Sequence, residues 1–402
     1  MSSAGGRTRR EILTDAAKAA AAASVAGIAG CFPAVGGHWP DASVPPDTAA
    51  RGPCARPGPP APVSPAVVEV FREDSVVVGA KFVIQPDVVA NMLDAGLMAL
   101  ARQALLFNAG SSAPDNGAGA GDADPSGTGG ETDTADAGQP GPVVDNPWKV
   151  LLPNYQPCQR IGLKVNCLSG KVPTSPAVVR AIIASLRDKF GVDPKNIVVW
   201  DRRLDELNGA GKYSADDLAG AQLLGTLVAY GKVTAGEPGY GDPIDPGVEG
   251  LSPRLSKILT EQTDLTINCP VLKNHGVSGV TAALKNIYGV IDIPGQYHKN
   301  FSTAMPKLYA LPAIRNSLCL TIVDALVSLA NGDADSVPDS APKRILLAQD
   351  PVALDSYALV LTNQLRALLP RAVPPIDSGL TTWLENSATL GLGTTNYSLI
   401  KA

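Results

Sequence analysis

The chain has six cysteines, at 31, 54, 158, 167, 269 and 319, yet nowhere a C-x-x-C pair. That spacing argues against a ferredoxin-type cluster and a ribbon-type zinc site, and it fixes no disulfide pairing. A basic surplus is missing too: 33 Lys and Arg face 38 Asp and Glu, a formal net charge of -5. With no cationic stripe to neutralise phosphates, general nucleic-acid binding is disfavoured. Beyond the N-terminus no apolar run reaches the roughly 20 residues of a membrane span. Aromatic residues make up 5% of the chain and histidine occurs three times. What is present is 45% hydrophobic residues in 402, ample for a large core, and 40 glycines with 35 prolines, more than one ordinary domain's loops call for.

Arg9-Arg10 precede an alanine-rich, weakly hydrophobic run ending in Ile28-Ala29-Gly30-Cys31. Together these resemble a twin-arginine export signal closing on a lipoprotein cleavage box. Cleavage would leave Cys31 as the lipidated first residue. The protein is then expected outside the cytoplasmic membrane, anchored to the cell envelope by lipid, with the membrane as its partner. The plain alternative is an alanine-rich amphipathic helix ending at a chance cysteine. Residues 32–65, rich in Pro, Gly and Ala and without periodicity, read as a tether in which His38 is solvated. A folded body follows over 66–402. It is interrupted at 108–145 by a Gly-, Asp-, Ser- and Thr-rich stretch that cannot bury enough apolar area to offset its ordering entropy. The acidic residues of that stretch lack the register of a calcium loop.

Within the body, apolar runs alternate with helical patterns. Strands are predicted at 66–71, 160–166, 196–201, 265–269, 320–324 and 343–348, with helices from Pro86 through Leu100 and from Pro176 to Phe190. Such alternation implies parallel pairing, hence a layered α/β fold: a mostly parallel sheet flanked by helices.

Polar residues gather where those strands end. Lys164 and Asn166, Asp201 and Arg202, Asn268 and Lys273, Asp324 and Asp350 each fall at or just past a carboxyl end, the edge where open α/β sheets bind ligands. Asp350, followed by Pro351, reads better as a helix cap, Asp324 has the same alternative, and Asp201 with its arginines could be a surface ion pair. Lys164 inside an apolar strand must snorkel, pair or serve a ligand, and Asn166 points to the same face. The stretch KNHGVSGVTAALKNIYG, Lys273 to Gly289, predicts a loop and then a helix from Gly279 to Tyr288, N-capped by Ser278 and closed by Gly289. Thr281, Lys285 and Tyr288 would share one helix face, while Lys273, His275 and the free N–H groups of the helix surround an anion. A core helix with a satisfied histidine is the plain alternative.

The segments KVNCLSGKVPTSPAVVRAI, NIVVWDR, NCPVLKNHGVSGVTAALKNIYGVI, LTIVDAL and QDPVALDSYAL, with the closing LGLG at 390–393, resemble the domain of unknown function 362 family over 66–402 outside the insertion. The resemblance implies an architecture rather than a reaction. Members that carry a ferredoxin-like cysteine segment differ from this chain, so cluster-based electron transfer is not carried over. A more distant similarity is to the nickel-pincer lactate racemases, in which a histidine and, ten residues later, a lysine hold the cofactor. His275 and Lys285 have that separation, but Ala283-Leu284 stand where that family has paired glycines.

These observations lead to an exported, lipid-anchored enzyme acting on a small anionic substrate, or holding an anionic or metal cofactor, at the strand-end cleft. His275 would be an acid/base or metal ligand, and Lys285 and Lys164 would hold charge or attack a carbonyl. Lys273, Asn166, Ser278, Thr281, Asn286, Asp201 and Asp324 would bind the anion or cofactor, whose identity the sequence leaves open, as it does any metal. A non-catalytic solute-binding lipoprotein would use the same residue types. An envelope scaffold would leave the strand-end lysines without a purpose.

Overall fold

A computed structural model describes residue 54 and residues 62–111, 142–168, 170–229, 234–333 and 336–402. The signal-like segment with Cys31, nearly all of the tether and most of the insertion lie outside the described residues.

The body opens with β1 (Ala66–Phe71), a short hairpin of β2 (Val76–Val78) and β3 (Phe82–Ile84), and helix α1 (Pro86–Ser111), which runs past residue 108 where composition places the insertion. Next come α2 (Pro147–Leu151), β4 (Ile161–Lys164), α3 (Pro176–Asp188), β5 (Ile197–Arg203), α4 (Leu204–Gly209) and β6 (Gln222–Leu227). A small hairpin of β7 (Tyr240–Pro243) and β8 (Arg254–Ser256) precedes β9 (Leu265–Asn268), β10 (Val271–His275) and β11 (Gly279–Thr281). The chain finishes through α5 (Ala283–Asn286), α6 (Phe301–Tyr309), α7 (Pro312–Arg315), β12 (Leu318–Leu329), β13 (Arg344–Ala348), α8 (Pro351–Leu368), α9 (Trp383–Thr389) and β14 (Ser398–Lys401).

The main sheet has the order β14-β1-β13-β12-β9-β4-β5-β6, with β10 alongside β12 and β11 paired to β10. It is a mixed, mostly parallel sheet flanked by helices. Alternate strand residues face opposite layers, as the two-residue period requires. Ile197 and Val199 pack into the core under α1, α2 and α3, whereas Val198 and Trp200 pack into the core under α5, α6, α8 and α9. Because both faces are covered, the strands read as continuous apolar runs.

The mostly parallel sheet is as expected, its exception being β13, which runs antiparallel to both β1 and β12, since no crossover helix separates it from β12. Two other expectations change. Strand β12 does not stop at Asp324. Its first half pairs with β9 and its second half with β10, so Asp324 sits mid-strand and its N–H donates to Pro270 O.

The second change concerns Gly279–Tyr288, which does not form one helix. Gly279, at φ +73°, turns the chain back, and Val280 and Thr281 continue as a strand antiparallel to β10. The Ser278 hydroxyl donates to Val280 O at 2.9 Å and caps nothing. Helix α5 starts only at Ala283, and its first N–H groups are already taken: the Asp355 carboxylate of α8 accepts from Ala283 N at 2.6 Å and Leu284 N at 2.9 Å. The helix terminus expected to receive an anion is thus filled by the protein's own carboxylate. Asp350, by contrast, is the cap that Pro351 implies, accepting from Val352 N and Ala353 N, both at 2.9 Å, and from Thr394 N at 3.0 Å. A side chain at Gly393 would collide with that carboxylate, which accounts for a glycine in the closing LGLG.

Cys54 and Cys158 form a disulfide across 104 residues, a closure of the kind that stabilises by about 4–5 kcal/mol in the chain-entropy account. Cys167, Cys269 and Cys319 are free thiols, and burial raises the pKa of each, which disfavours the reactive thiolate.

Replacing Asp355 by Ala leaves two buried N–H groups without an acceptor and should cost about 2–4 kcal/mol in urea unfolding. Asp355→Asn, which keeps one acceptor, should lose less. Equal stability of Asp355→Ala and the parent would remove this anchoring role.

Candidate functional site

The carboxyl ends of β4, β5 and β9 lie side by side, with Lys164 in register with both Trp200 and Asn268. The β10–β11 hairpin and α5 wall the same edge. Between them is a cavity of about 150 Å³ whose lining includes Lys164, Asn166, Asp201, Lys273, His275, Thr281, Lys285 and Asn286. Residues spread over more than a hundred positions in sequence therefore meet in one hollow. Thr281 reaches it from a strand rather than from the expected helix face. Ser278 and Asp324 do not line it: Ser278 is fully buried beside Trp383, whose indole donates to its carbonyl, and Asp324 accepts from Ser175 N at 2.7 Å and Leu326 N at 3.0 Å. Asp324 thus anchors the start of α3 to mid-sheet.

At the floor is an ion pair. Lys164 Nζ, 1% exposed, donates to Asp201 Oδ1 and to Val165 O, each at 2.7 Å. Asp201 also accepts from Arg202 N and, through Oδ2, from Cys167 N, both at 2.7 Å. This set leaves the Lys164 amine engaged by the protein itself. Gly289 is not the helix-ending glycine the sequence suggests: a Cβ there would stand 2.6 Å from Lys164 Nζ and 3.0 Å from Asp201 Oδ1, so glycine lets the chain close over the pair.

One wall is a chain of amides. Lys273 Nζ donates to Asn166 Oδ1 at 2.7 Å, Asn166 donates to Asn286 Oδ1 at 3.1 Å, and Asn286 donates to Asn268 Oδ1 at 2.8 Å. Asn268 ends the relay on Ala283 O at 2.7 Å. Each amide satisfies the next, so the orientation of Lys273 is set by residues from the loop after β4, from β9 and from α5.

The opposite side is formed by Lys285, His275 and His298. Lys285 Nζ lies 3.3 Å from His298 Nε2, and 4.2 and 5.8 Å from the ring centroids of Tyr288 and Phe301. Among the described residues no carboxylate pairs with it. Burial, helped by the nearby Lys273 charge, lowers the Lys285 pKa to about 7. The His275 ring is 5.3 Å from that of His298, and its Nδ1 accepts from Val277 N at 3.1 Å and Ser278 N at 3.4 Å, which places its proton on Nε2. Burial first, then the charges of Lys285, His298 and Lys273, lowers His275 to about 3; burial and Lys285 lower His298 to about 4. Both imidazoles are neutral at pH 7.

Two further lining residues, His298 and Glu206, were not singled out by sequence. Burial, against the pull of Arg203, raises Glu206 to about 7. Its place in α4 carries no pattern that would have found it, whereas the scarcity of histidine could have drawn attention to His298. Arg202 and Tyr288, conspicuous by position, also line the cavity, and Arg202 donates to Asp292 O at 3.1 Å. Among the described residues no three His, Cys, Asp or Glu side chains cluster as metal ligands.

The fold and cleft define a mixed α/β protein with a small polar hollow at the strand ends. Residues 161–360 match the family described as Domain of unknown function (DUF362), and through this segment, which spans β4 to most of α8 and holds every residue named in the cleft, the chain belongs to that family. The match is narrower than the 66–402 implied by the motifs. No curated protein matches the chain. Among solved structures, a crystal structure of a Thermotoga maritima protein is 13% identical, with the match covering 51% of this chain and 53% of that one at a TM-score of 0.31. The chain spans about half the length of that protein.

Removing the Lys273 charge should raise the Lys285 pKa, because the protonated form loses a repulsive neighbour. In Lys273→Met, acetylation of Lys285 at pH 7, followed by peptide mass mapping, should be slower than in the parent. An unchanged rate-against-pH curve would show that the two ammonium groups do not interact.

Proposed function

We propose that the cleft binds a small organic anion and performs acid–base chemistry on it, with Lys285 and the two imidazoles at the reacting centre. The observation that carries this is the convergence of Lys273 and Lys285 on one hollow, beside two neutral histidines. A lysine near half-protonation at pH 7 favours this reading over simple capture. A site built only to hold an anion gains from full charge, whereas a general base or nucleophile works best near the operating pH. Lys273, aimed by Asn166, would hold the anionic group, and Lys285 and His298 would move the proton.

Size bears on the cofactor alternatives. At about 150 Å³ the hollow is smaller than the roughly 300–1,000 Å³ of typical cofactor and drug sites. A nickel-pincer group therefore does not fit this cavity, despite the spacing of His275 and Lys285. No step is derived through it.

Small carboxylates and phosphorylated acids should raise the melting temperature of the protein, and in D2O at least one should exchange a carbon-bound proton, visible by NMR. Lys285→Met should lose the exchange while unfolding within about 1 kcal/mol of the parent. Binding without exchange would favour the solute-binding alternative, and no stabilisation by any anion would end the proposal.

Export and lipid anchoring at Cys31 belong to the same proposal. The Cys54–Cys158 disulfide supports it, because such bonds persist in oxidising compartments outside the cytoplasm. Among the described residues no helix is long and apolar enough to cross a membrane. Cys31→Ser should move the protein from the membrane fraction to the soluble fraction, and equal partition of the two forms would exclude the anchor.

A further inference from the structure

We infer that the Lys285 amine forms a covalent imine with the substrate, which makes the substrate class small anions bearing an aldehyde or ketone, such as 2-oxo acids. The inference deepens the anion-site reading and rests on it. Its geometric basis is threefold. Lys285 Nζ faces the same hollow as Lys273, the ammonium group held by Asn166, so one cation can take a carboxylate while the other amine meets an adjacent carbonyl. His298 Nε2, 3.3 Å from Nζ, is in place to take the ammonium proton and return it. The faces of Tyr288 and Phe301, 4.2 and 5.8 Å from Nζ, exclude water and stabilise the cation that a protonated imine would place there.

The step balances without an external oxidant or reductant. The Nζ lone pair forms a C–N bond to the carbonyl carbon, the π pair moves to oxygen, and that oxygen takes a proton to give a carbinolamine. Loss of the hydroxyl with a second proton releases one water and leaves the C=N bond. The protonated imine then acidifies the neighbouring C–H, which would connect it to the proton exchange expected of the site. The remaining strand-end lysine, Lys164, is unsuited to the role because its amine is engaged by Asp201 and Val165 O. With its pKa lowered to about 7, Lys285 carries roughly a thousandfold more neutral amine at pH 7 than an ordinary lysine.

The test is reductive trapping of the full-length protein at pH 7 with sodium borohydride, using pyruvate and glyoxylate as probes, followed by peptide mass mapping. The expected result is one reduced adduct on Lys285, far above any other lysine, and none in Lys285→Met. Because the parent protein alone reports which lysine is modified, the assignment survives even if that variant fails to fold. Thermal stabilisation by pyruvate without a Lys285 adduct would overturn the imine and leave the anion site standing. Neither stabilisation nor adduct would overturn both, and adducts spread evenly over surface lysines would overturn the imine.

Discussion

The buried pair of Lys164 and Asp201 is the interaction on which the cleft depends. It joins the ends of β4 and β5, fixes the loop after β4 through Cys167 N, and forms the surface against which the chain at Gly289 closes. Taking two charges out of water is costly, and a pair of this kind is tolerated only when its remaining donors and acceptors are satisfied. Here Val165 O accepts a second Lys164 hydrogen bond, and the Arg202 and Cys167 N–H groups donate to the carboxylate. Loss of one partner from such a pair generally costs about 3–5 kcal/mol, because the survivor is left charged and alone. The pair therefore contributes position more than net stability. It engages Asp201, so this carboxylate offers little counter-charge to the lysines above it.

That engagement shapes the chemistry of the hollow. With Asp201 occupied, Lys273 and Lys285 repel one another across a poorly solvated space, and the lower cost is for Lys285 to give up part of its charge. The neutral imidazoles have a related cause: burial first, then the Lys285 charge, disfavours a proton on either ring, and Lys273 adds to this at His275. Lys273 is secured by the relay through Asn166, Asn286 and Asn268, whose far end is tied to α5. Asp355 fixes α5 in turn from α8. A polar network that begins in the cavity thus ends in a helix on the outside of the sheet.

Several of the family-like motifs have structural duties. In QDPVALDSYAL, Asp350 caps α8 and Asp355 caps α5. In LTIVDAL, Asp324 anchors α3 by accepting from Ser175 N. The final LGLG gives Asp350 room at Gly393. Motif density in this chain therefore reflects two kinds of constraint: groups that face the cleft, and buried carboxylates that hold its walls by accepting backbone N–H groups.

Strand and helix positions were legible wherever period and composition agreed. Six strands, the two long helices, the Asp350 cap and the layered α/β class follow from apolar runs and punctuation alone, because burial on both sheet faces writes itself into sequence. The convergence of Lys164, Asn166, Asp201, Lys273, His275 and Lys285 was also readable, since strand carboxyl ends of a parallel sheet share one edge. Tertiary structure alone decided the rest. Gly279–Tyr288 has helical spacing but folds into a hairpin and a short helix, because pairing with β10 and the Asp355 carboxylate outweigh local preference. His298 and Glu206 enter the cleft through tertiary contacts, and nothing in a one-dimensional pattern encodes which side chain will stand 3.3 Å from a lysine.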